Sequence, residues 1–458
     1  MRRLSHARGN FIHHASTATR RDNRRRLPHN RRMHLVRATG GARPLRILLL
    51  SDCWSPTVNG VVRSVTDLRD GLAAAGHDVR VLTVAENLST TFDGRVYGVA
   101  SIPAGAVYPH ARIGRPVSGT VLRHITDWAP DVVHSHTEFP TFTWARTIAR
   151  RLAVAHVHTY HTSYEDYTHY FCPSRRMGRA MTRAFTNDRL DRTDRVIAPT
   201  NKVADLLRGY GVHAPVEVIG TGADVDRFRP AAPRPGVSAS RETEPHDTEP
   251  HERESLATLA ADIGLSPGVP VVLTVGRLAV EKNLTETLRL LAGITDAPWQ
   301  WLVVGDGPAA AELSALAARL GVSARVHMIG AVPVDEVPRY YRLGDVFMTS
   351  SRSETQGLTC LEALASGLPA ITPDDEAFRG VVVDGSNGHR YVSESDFRTA
   401  TTALLCDGPL RRAMSEAARA SAVRCGRDRF VGEVLGCYGR AMARAAARRT
   451  NPRLRLSA

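Results

Sequence analysis

Two glutamates, Glu354 and Glu362, lie eight positions apart on a polar loop and the helix predicted to follow it. A predicted strand, Val346–Thr349, precedes the loop, and the predicted helix begins at about Thr359. Backbone N–H groups at a helix start have no partner within the helix, so they stabilise an anionic diphosphate. Gly357 lets such a ligand approach the backbone closely. One carboxylate could then accept hydrogen bonds from sugar hydroxyls and the other from a ribose diol.

Glu362 also has a purely structural interpretation. The run Thr359-Cys-Leu-Glu362 fits a capping box, in which the threonine and glutamate satisfy backbone groups at a helix start without any ligand. This alternative explains Glu362 alone. It leaves Glu354 and Gly357 unexplained.

A basic pair, Arg277 and Lys282, follows the predicted strand Pro270–Gly276. Cations at the carboxyl end of a buried strand can hold a diphosphate and neutralise the charge that develops on a leaving group. On spacing alone, a solvated basic pair is an equally good interpretation.

Histidines 156, 158 and 161 suggest a metal site at first sight. Alternation along the predicted strand Ala155–Thr159 places His156 and His158 on one face, and His161 lies beyond its end. No nearby acidic ligands complete a set, so we predict no metal site.

The segment Arg175–Leu190 has the spacing of an amphipathic helix. Its apolar arc is expected to pack in the core, and it comprises Met177, Ala180, Met181, Ala184 and Phe185. The opposite arc carries Arg175, Arg176, Arg179 and Arg183. These arginines are either solvated or face anionic lipid headgroups.

The elements that position these residues alternate between strand and helix from Leu45 onward, which predicts an α/β fold with parallel sheets. A second strand-helix series starts at Pro270. The predicted organisation is a disordered basic extension (1–44), a first α/β domain (45–222), a linker with a charged, Pro-rich insertion (223–268), a second α/β domain (269–430), and a C-terminal helix with a basic tail (431–458). Residues 1–44 have no apolar core of a secretory signal, and translation from Met33 is an alternative start.

The net charge of +14 is concentrated at the two ends of the chain. Residues 1–45 hold 12 arginines and one aspartate, and residues 438–458 hold six arginines and no acidic residue, which leaves the segment between them slightly acidic. This distribution argues against a folded nucleic-acid surface. Six scattered cysteines without a C-x-x-C pair argue against a zinc site or disulfide framework and favour a reducing compartment.

The segment Ser353–Pro369 resembles the Glu–seven residues–Glu motif of the retaining glycosyltransferases of family 4, which have the GT-B fold. Its Ser-Glu-Thr-Gln-Gly-Leu-Thr spelling is closest to the branch that glycosylates diacylglycerol and related lipids. Three further stretches carry the resemblance: Gly276–Lys282, Pro56–Val65 and Tyr160–Thr162. The implied fold is two Rossmann-like domains with parallel sheets that face each other across a cleft, and the final helix is expected to return to the first domain.

The resemblance also implies roles for individual residues. His161 and Glu354 would be catalytic. Donor-binding positions would be Gly60, Arg277, Lys282, Val332, Gln356, Gly357, Leu358, Thr359 and Glu362. Acceptor-binding positions would be Asn59, Tyr164, Glu165 and Tyr167. Membrane contacts would come from Arg175, Arg176, Arg179 and Arg183.

The expected activity is retaining transfer of a hexose from a nucleotide sugar, with UDP-glucose the first choice, to a lipid such as diacylglycerol. Alternatives are a GDP-mannose-dependent lipid mannosyltransferase, an enzyme for a small soluble acceptor such as an inositol phosphate, and a non-enzymatic basic membrane or nucleic-acid binder. No metal and no cofactor beyond the UDP-glucose or GDP-mannose co-substrate is expected. The expected partners are the donor, a lipid acceptor and an anionic membrane surface but no nucleic acid, and the expected location is cytoplasmic, peripheral on the inner face of the membrane.

Overall fold

The computed structural model describes residues 43–57, 59–86, 88–103, 112–165, 172, 174–231 and 250–450, apart from the side chains of residues 175 and 250–253. Nearly all of the predicted basic extension, most of the charged insertion, Tyr167 and residues 451–458 lie outside these ranges. No helix among the described residues is both long and apolar enough to cross a bilayer.

The first half of the described chain is an α/β layer around a largely parallel sheet. Ile47–Leu50 on the central strand are fully buried, because strands flank this strand on both sides and helices cover both faces. The strands are β1 (Arg46–Ser51), β2 (Asp78–Val84), β3 (Thr91–Phe92), β4 (Val96–Val99), β5 (Ser101–Pro103), β6 (Arg112–Gly114), β7 (Val132–Ser135), β8 (Ala155–Thr159), β9 (Arg195–Ala198) and β10 (Val216–Val218). The helices are α1 (Gly60–Ala74), α2 (Gly119–Trp128), α3 (Pro140–Leu152), α4 (Arg175–Leu190) and α5 (Asn201–Gly209).

The strands of the first sheet follow the order β10-β9-β8-β7-β1-β2-β4-β3. Every pairing in this sheet is parallel except that of β3 with β4. Strands β5 and β6 form a separate antiparallel pair. The carboxyl ends of β1, β7 and β8 therefore meet at one edge, where Asp52, His136 and His161 follow them.

The second half repeats this architecture with a parallel sheet in the order β13-β12-β11-β14-β15-β16. Its strands are β11 (Val271–Val275), β12 (Gln300–Val304), β13 (Val326–Gly330), β14 (Val346–Met348), β15 (Ala370–Pro373) and β16 (Gly388–Tyr391). Its helices are α6 (Pro250–Asp262), α7 (Leu284–Ala292), α8 (Ala310–Arg319), α9 (Val337–Tyr341), α10 (Leu358–Ala365), α11 (Glu394–Cys406) and α12 (Gly408–Arg424). Helix α6 lies within the stretch interpreted from sequence as a linker, where its polar and proline-rich surroundings concealed it.

The last helix, α13 (Arg427–Thr450), packs against α1 and β8 of the first half, as expected for a final helix that returns to the first domain. Val434 and Tyr438 on this helix are fully buried in the core shared with β1 and β2. The helix approaches α1 closely at Gly71, where a Cβ atom would overlap with Val431 Cγ2. The chain therefore crosses between the halves twice.

Candidate active site

Strand β14, the loop after it (residues 349–357) and α10 form the strand–loop–helix unit expected from the sequence. Gly357 precedes the helix with a φ of 72°, and a Cβ there would lie 2.6 Å from Phe378 Cε1. Both the backbone conformation and the space therefore require glycine. No side chain caps the start of α10, so the N–H groups of its first turn, at Leu358 and Thr359, are available to an anion.

The predicted capping box between Thr359 and Glu362 is wrong. Thr359 lies inside the helix, because the left-handed residue Gly357 occupies the cap position. Glu362 instead lies one turn further on and accepts a hydrogen bond of 2.9 Å from the Tyr341 hydroxyl. Arg63 Nε of the first half lies 4.0 Å from its carboxylate. Burial raises the pKa of Glu362 to about 7, against the lowering effect of Arg63.

Glu354, on the β14–α10 loop, forms an ion pair with Lys282. The Lys282 ammonium donates to Glu354 Oε1 at 2.6 Å, and both side chains are largely buried. Burial favours the neutral carboxyl, but Lys282, Ser351 and Lys202 outweigh it and lower the pKa of Glu354, so this side chain is a carboxylate at neutral pH. Two residues predicted separately as a sugar ligand and a phosphate ligand thus form an ion pair with each other.

Lys282 reaches Glu354 from a short 3₁₀ turn, Val280–Lys282, that follows β11. Arg277 leaves the end of the same strand with an exposed side chain. The carboxyl ends of β11 and β14 are neighbours in the sheet, which places both cations on the side of the sheet where α10 begins. This arrangement can hold a diphosphate between cations and helix N–H groups.

Replacing Gly357 with alanine should weaken UDP binding by at least about tenfold and destabilise the protein by about 1–3 kcal/mol, because the new Cβ meets Phe378 and the backbone is strained. Gly385 is a matched control, since its φ is also 72° but a Cβ there has no neighbour within 4 Å. Gly385→Ala should lose stability through the same backbone strain. Its affinity for UDP, measured by calorimetric titration, should be normal. Equal UDP affinity in the two variants would contradict this account of the helix start.

On the first half, Asn59 caps α1, and its Oδ1 accepts a hydrogen bond of 2.9 Å from Val62 N. Gly60 opens the helix, and a Cβ there would lie 3.7 Å from Leu358 Cδ1. The positively polarised starts of α1 and α10 therefore face each other. The structure brings Gly60 and Leu358 together, two residues that were predicted separately as donor-binding positions.

His161 lies past the end of β8, and its Nε2 is 3.0 Å from His136 Nδ1. Burial, with a smaller effect from His158, lowers the pKa of His161 to about 3, so its ring is neutral at physiological pH. Its backbone carbonyl accepts a hydrogen bond of 2.9 Å from Thr355 Oγ1 in the second half. His161 is thus tied directly to the loop that carries Glu354.

A polar network that sequence reasoning missed lies behind His161. Glu138 is buried, and its two oxygens accept hydrogen bonds from His158 Nε2, at 3.1 Å, and from the Tyr164 hydroxyl. Ser135 Oγ lies 2.8 Å from both His156 and His158. The signal in the sequence was the polar run His134–Glu138 at the end of a buried strand. Among the described residues no cluster of His, Cys, Asp and Glu is arranged to hold a metal ion.

The other residues predicted to bind donor or acceptor contact protein groups in the structure. Gln356 exchanges two hydrogen bonds with the backbone of Thr221, at 2.7 and 2.9 Å, so its side chain joins the halves. Val332 packs against the core of the second half. Tyr164 is held by Glu138, and Glu165 lies 3.6 Å from Arg179.

The predicted packing of α4 is wrong. Gly178, Thr182, Thr186 and Leu190 form its buried face. Met177 and Met181, assigned to the core from their spacing, are 51% and 54% exposed. The buried face thus carries the small residues at 178, 182 and 186, and Met177 and Met181 point outward. Arg176, Arg179 and Arg183 are exposed beside them, and the side chain of Arg175 lies outside the described residues.

The chain matches two family models, Glycosyltransferase Family 4 over residues 58–227 and Glycosyl transferases group 1 over residues 258–421. It is 30% identical to an alpha-monoglucosyldiacylglycerol synthase of Streptococcus pneumoniae over 80% of this chain and 79% of that protein. The chain belongs to glycosyltransferase family 4. A second family relative, the alpha-monoglucosyldiacylglycerol synthase of Acholeplasma laidlawii, is 29% identical over 75% of this chain and 84% of the relative.

The family assignment agrees with the fold. The crystal structure of Anabaena Alr3699/HepE in complex with UDP and glucose superimposes with a TM-score of 0.62 at 17% identity, covering 86% of this chain and 99% of that one. The predicted GT-B fold, with two Rossmann-like domains, is confirmed. This family 4 protein is therefore a glycosyltransferase.

Proposed function

We propose that the protein is a retaining, metal-independent glycosyltransferase that moves glucose from UDP-glucose to diacylglycerol or a related lipid. The observation that carries the proposal is the Lys282–Glu354 pair beside the uncapped start of α10. Two relatives bear the name alpha-monoglucosyldiacylglycerol synthase, which supports the choice of lipid and sugar.

In this mechanism the donor diphosphate takes the place of Glu354 as the partner of Lys282. Arg277 and the N–H groups of Leu358 and Thr359 complete the anion site. Glu354, released from Lys282, then accepts hydrogen bonds from sugar hydroxyls, while Glu362 accepts them from the ribose. Cationic side chains and a helix start neutralise the leaving group, the task that a divalent ion performs in metal-dependent enzymes.

The first-half carboxylates near the site argue against a covalent glycosyl–enzyme intermediate. Asp52 accepts hydrogen bonds from the backbone N–H groups of Phe139 and Thr141, and Glu138 accepts them from His158 and Tyr164. We therefore adopt the same-face reaction that the family resemblance implies. The bond between the anomeric carbon and the phosphate oxygen breaks while the acceptor oxygen attacks on the same face, and the acceptor proton passes to the departing phosphate.

The exposed face of α4 suits a lipid surface. Met177 and Met181 project into solvent beside Arg176 and Arg183, which combines apolar insertion with attraction to anionic headgroups. The enzyme accordingly works at the inner face of the cytoplasmic membrane, where a lipid acceptor reaches the site next to Tyr164.

Replacing both Met177 and Met181 with aspartate should weaken binding to phosphatidylglycerol vesicles by at least about tenfold, because burial of each methionine contributes about 1.5–3 kcal/mol. Val392 and Val423, 75% and 53% exposed on the second half, provide a matched control when both are changed to aspartate. Vesicle sedimentation measures binding. Equal loss in the two double variants would show that α4 makes no special contact.

Substrate identity is tested by a thermal-shift screen of UDP-glucose, UDP-galactose and GDP-mannose, followed by incubation with dioleoylglycerol and mass analysis of the extracted lipids. The expected outcome is the largest shift with UDP-glucose and an α-linked glucosyl diacylglycerol product. A largest shift with GDP-mannose would contradict the proposed donor. Transfer only to an inositol phosphate would contradict the proposed lipid acceptor.

A further inference from the structure

The start of α5, in the first half, holds the β14–α10 loop on both sides of Glu354. Thr200 Oγ1 donates to the carbonyl of Thr355 at 2.8 Å, and Lys202 Nζ donates to the carbonyl of Arg352 at 2.9 Å. These two carbonyls flank the residue that carries the sugar-binding carboxylate. The backbone position of Glu354 is therefore determined partly by the opposite half of the molecule.

Lys202 makes a second contact with the other half. Its ammonium lies 2.8 and 2.9 Å from the two oxygens of Asp375, just after β15. Asp375 is itself oriented, because its Oδ1 also accepts a hydrogen bond of 2.9 Å from Ala377 N. The lysine and aspartate side chains are 29% and 16% exposed, so solvent screens this pair only partly. One ammonium thus joins two loops at the carboxyl edge of the second sheet.

We infer that Lys202 is a positioning residue for sugar transfer, which holds the β14–α10 loop so that Glu354 lies where it can meet the donor sugar. The inference rests on the proposed role of Glu354. Lys202 lies outside the predicted diphosphate site of Arg277, Lys282 and the start of α10. Its loss should therefore affect turnover rather than donor affinity.

The test compares Lys202→Met with Lys202→Arg and with Arg208→Met. Arg208 is a matched control, because it lies on the same helix and its ion pair with Asp205 is exposed. With UDP-glucose and dioleoylglycerol vesicles, Lys202→Met should lower kcat by about ten- to a hundredfold, the range expected for a misplaced catalytic group. Its Kd for UDP should stay within about twofold, and Lys202→Arg should recover most of the lost turnover since it keeps the charge and the donors.

Hydrogen exchange of the donor-free protein tests the same inference without turnover. Amides of residues 350–357 should exchange faster in Lys202→Met and in Asp375→Asn than in the wild type or Arg208→Met. Asp375→Asn keeps the measurement possible if Lys202→Met does not fold. A failed UDP-glucose reaction would overturn the proposed function and leave this exchange result standing.

Three results would overturn the inference. The first is unchanged exchange at residues 350–357 in both variants. The second is a rise in the Kd for UDP that accounts for the whole loss of turnover, since Lys202 would then be a donor ligand. The third is a Lys202→Arg variant that is no more active than Lys202→Met.

Discussion

Replacing Glu354 with glutamine should lower sugar transfer by about 10²- to 10³-fold, the range seen when one group that stabilises a transition state is removed. The amide has nearly the same shape as the carboxylate, so the fold should be retained. It lacks the negative charge that Lys282 and the β14–α10 loop hold in place, and it accepts weaker hydrogen bonds from sugar hydroxyls.

Binding of UDP should be unchanged or tighter in this variant. The Lys282 ammonium is 2.6 Å from Glu354 Oε1, so an incoming diphosphate competes with this carboxylate. The neutral glutamine amide binds Lys282 less strongly than the carboxylate does, so it competes less with the diphosphate. Glu312→Gln, which removes the same charge from the exposed face of α8, is the control and should behave as the wild type. Turnover of Glu354→Gln within about threefold of the wild type would exclude Glu354 from the reaction.

The protein should lose stability steeply as the pH falls below about 6.5. Burial lowers the pKa values of His156 and His161 to about 3 and those of His134 and His136 well below their usual value. The pKa of histidine in the unfolded chain is about 6.5. A histidine whose pKa is lowered by folding makes its full contribution to stability above that pH, and the contribution is lost as the pH falls. The unfolded chain binds these four protons first, so acid favours unfolding.

Four buried carboxyls act in the opposite direction. Burial raises the pKa of Glu362 to about 7 and that of Asp67 to about 6, and it also raises the pKa values of Asp52 and Asp194, so their contributions are complete only at low pH and are lost as the pH rises. The four histidines take up more protons near pH 5.5 than these carboxyls release, and the net uptake on unfolding is at most about two protons, which corresponds to at most about 3 kcal/mol per pH unit.

Urea unfolding at pH 7.5, 6.5 and 5.5 measures this slope. His156→Gln should reduce the proton uptake by about one, because the glutamine amide can keep the 2.8 Å contact that His156 Nε2 makes with Ser135, without titrating. His213→Gln, at a surface position, should leave the slope unchanged. A free energy of unfolding that stays level between pH 7.5 and 5.5 would mean that the buried histidines are accessible to protons in the folded state.

The elements of the fold were largely predictable because their signals are local. A continuous apolar run predicted β11, and the alternation of strand and helix patterns from Leu45 onward predicted the α/β layers. Glu354, Gly357, Arg277 and Lys282 could be named as site residues, since each follows a strand at the edge where ligands bind in open α/β sheets.

The sequence alone could not show which face of α4 is buried or which residue caps α10. The apolar spacing of α4 favoured Met177 and Met181 as core residues, but Thr182 and Thr186 are buried instead and both methionines are exposed. At α10 the left-handed backbone of Gly357 took the cap position, which excluded the capping box at Thr359.

By itself, the sequence determined the succession of strands and helices along the chain, the two-domain fold and the residue types available at the candidate site. Tertiary structure alone decided their partners. Lys282 meets Glu354 across 72 residues of chain, Lys202 meets Asp375 across 173, and Glu138 joins His158 and Tyr164 behind His161. Such pairs depend on how two sheets place the carboxyl ends of distant strands against each other, and no local pattern of residues encodes that distance.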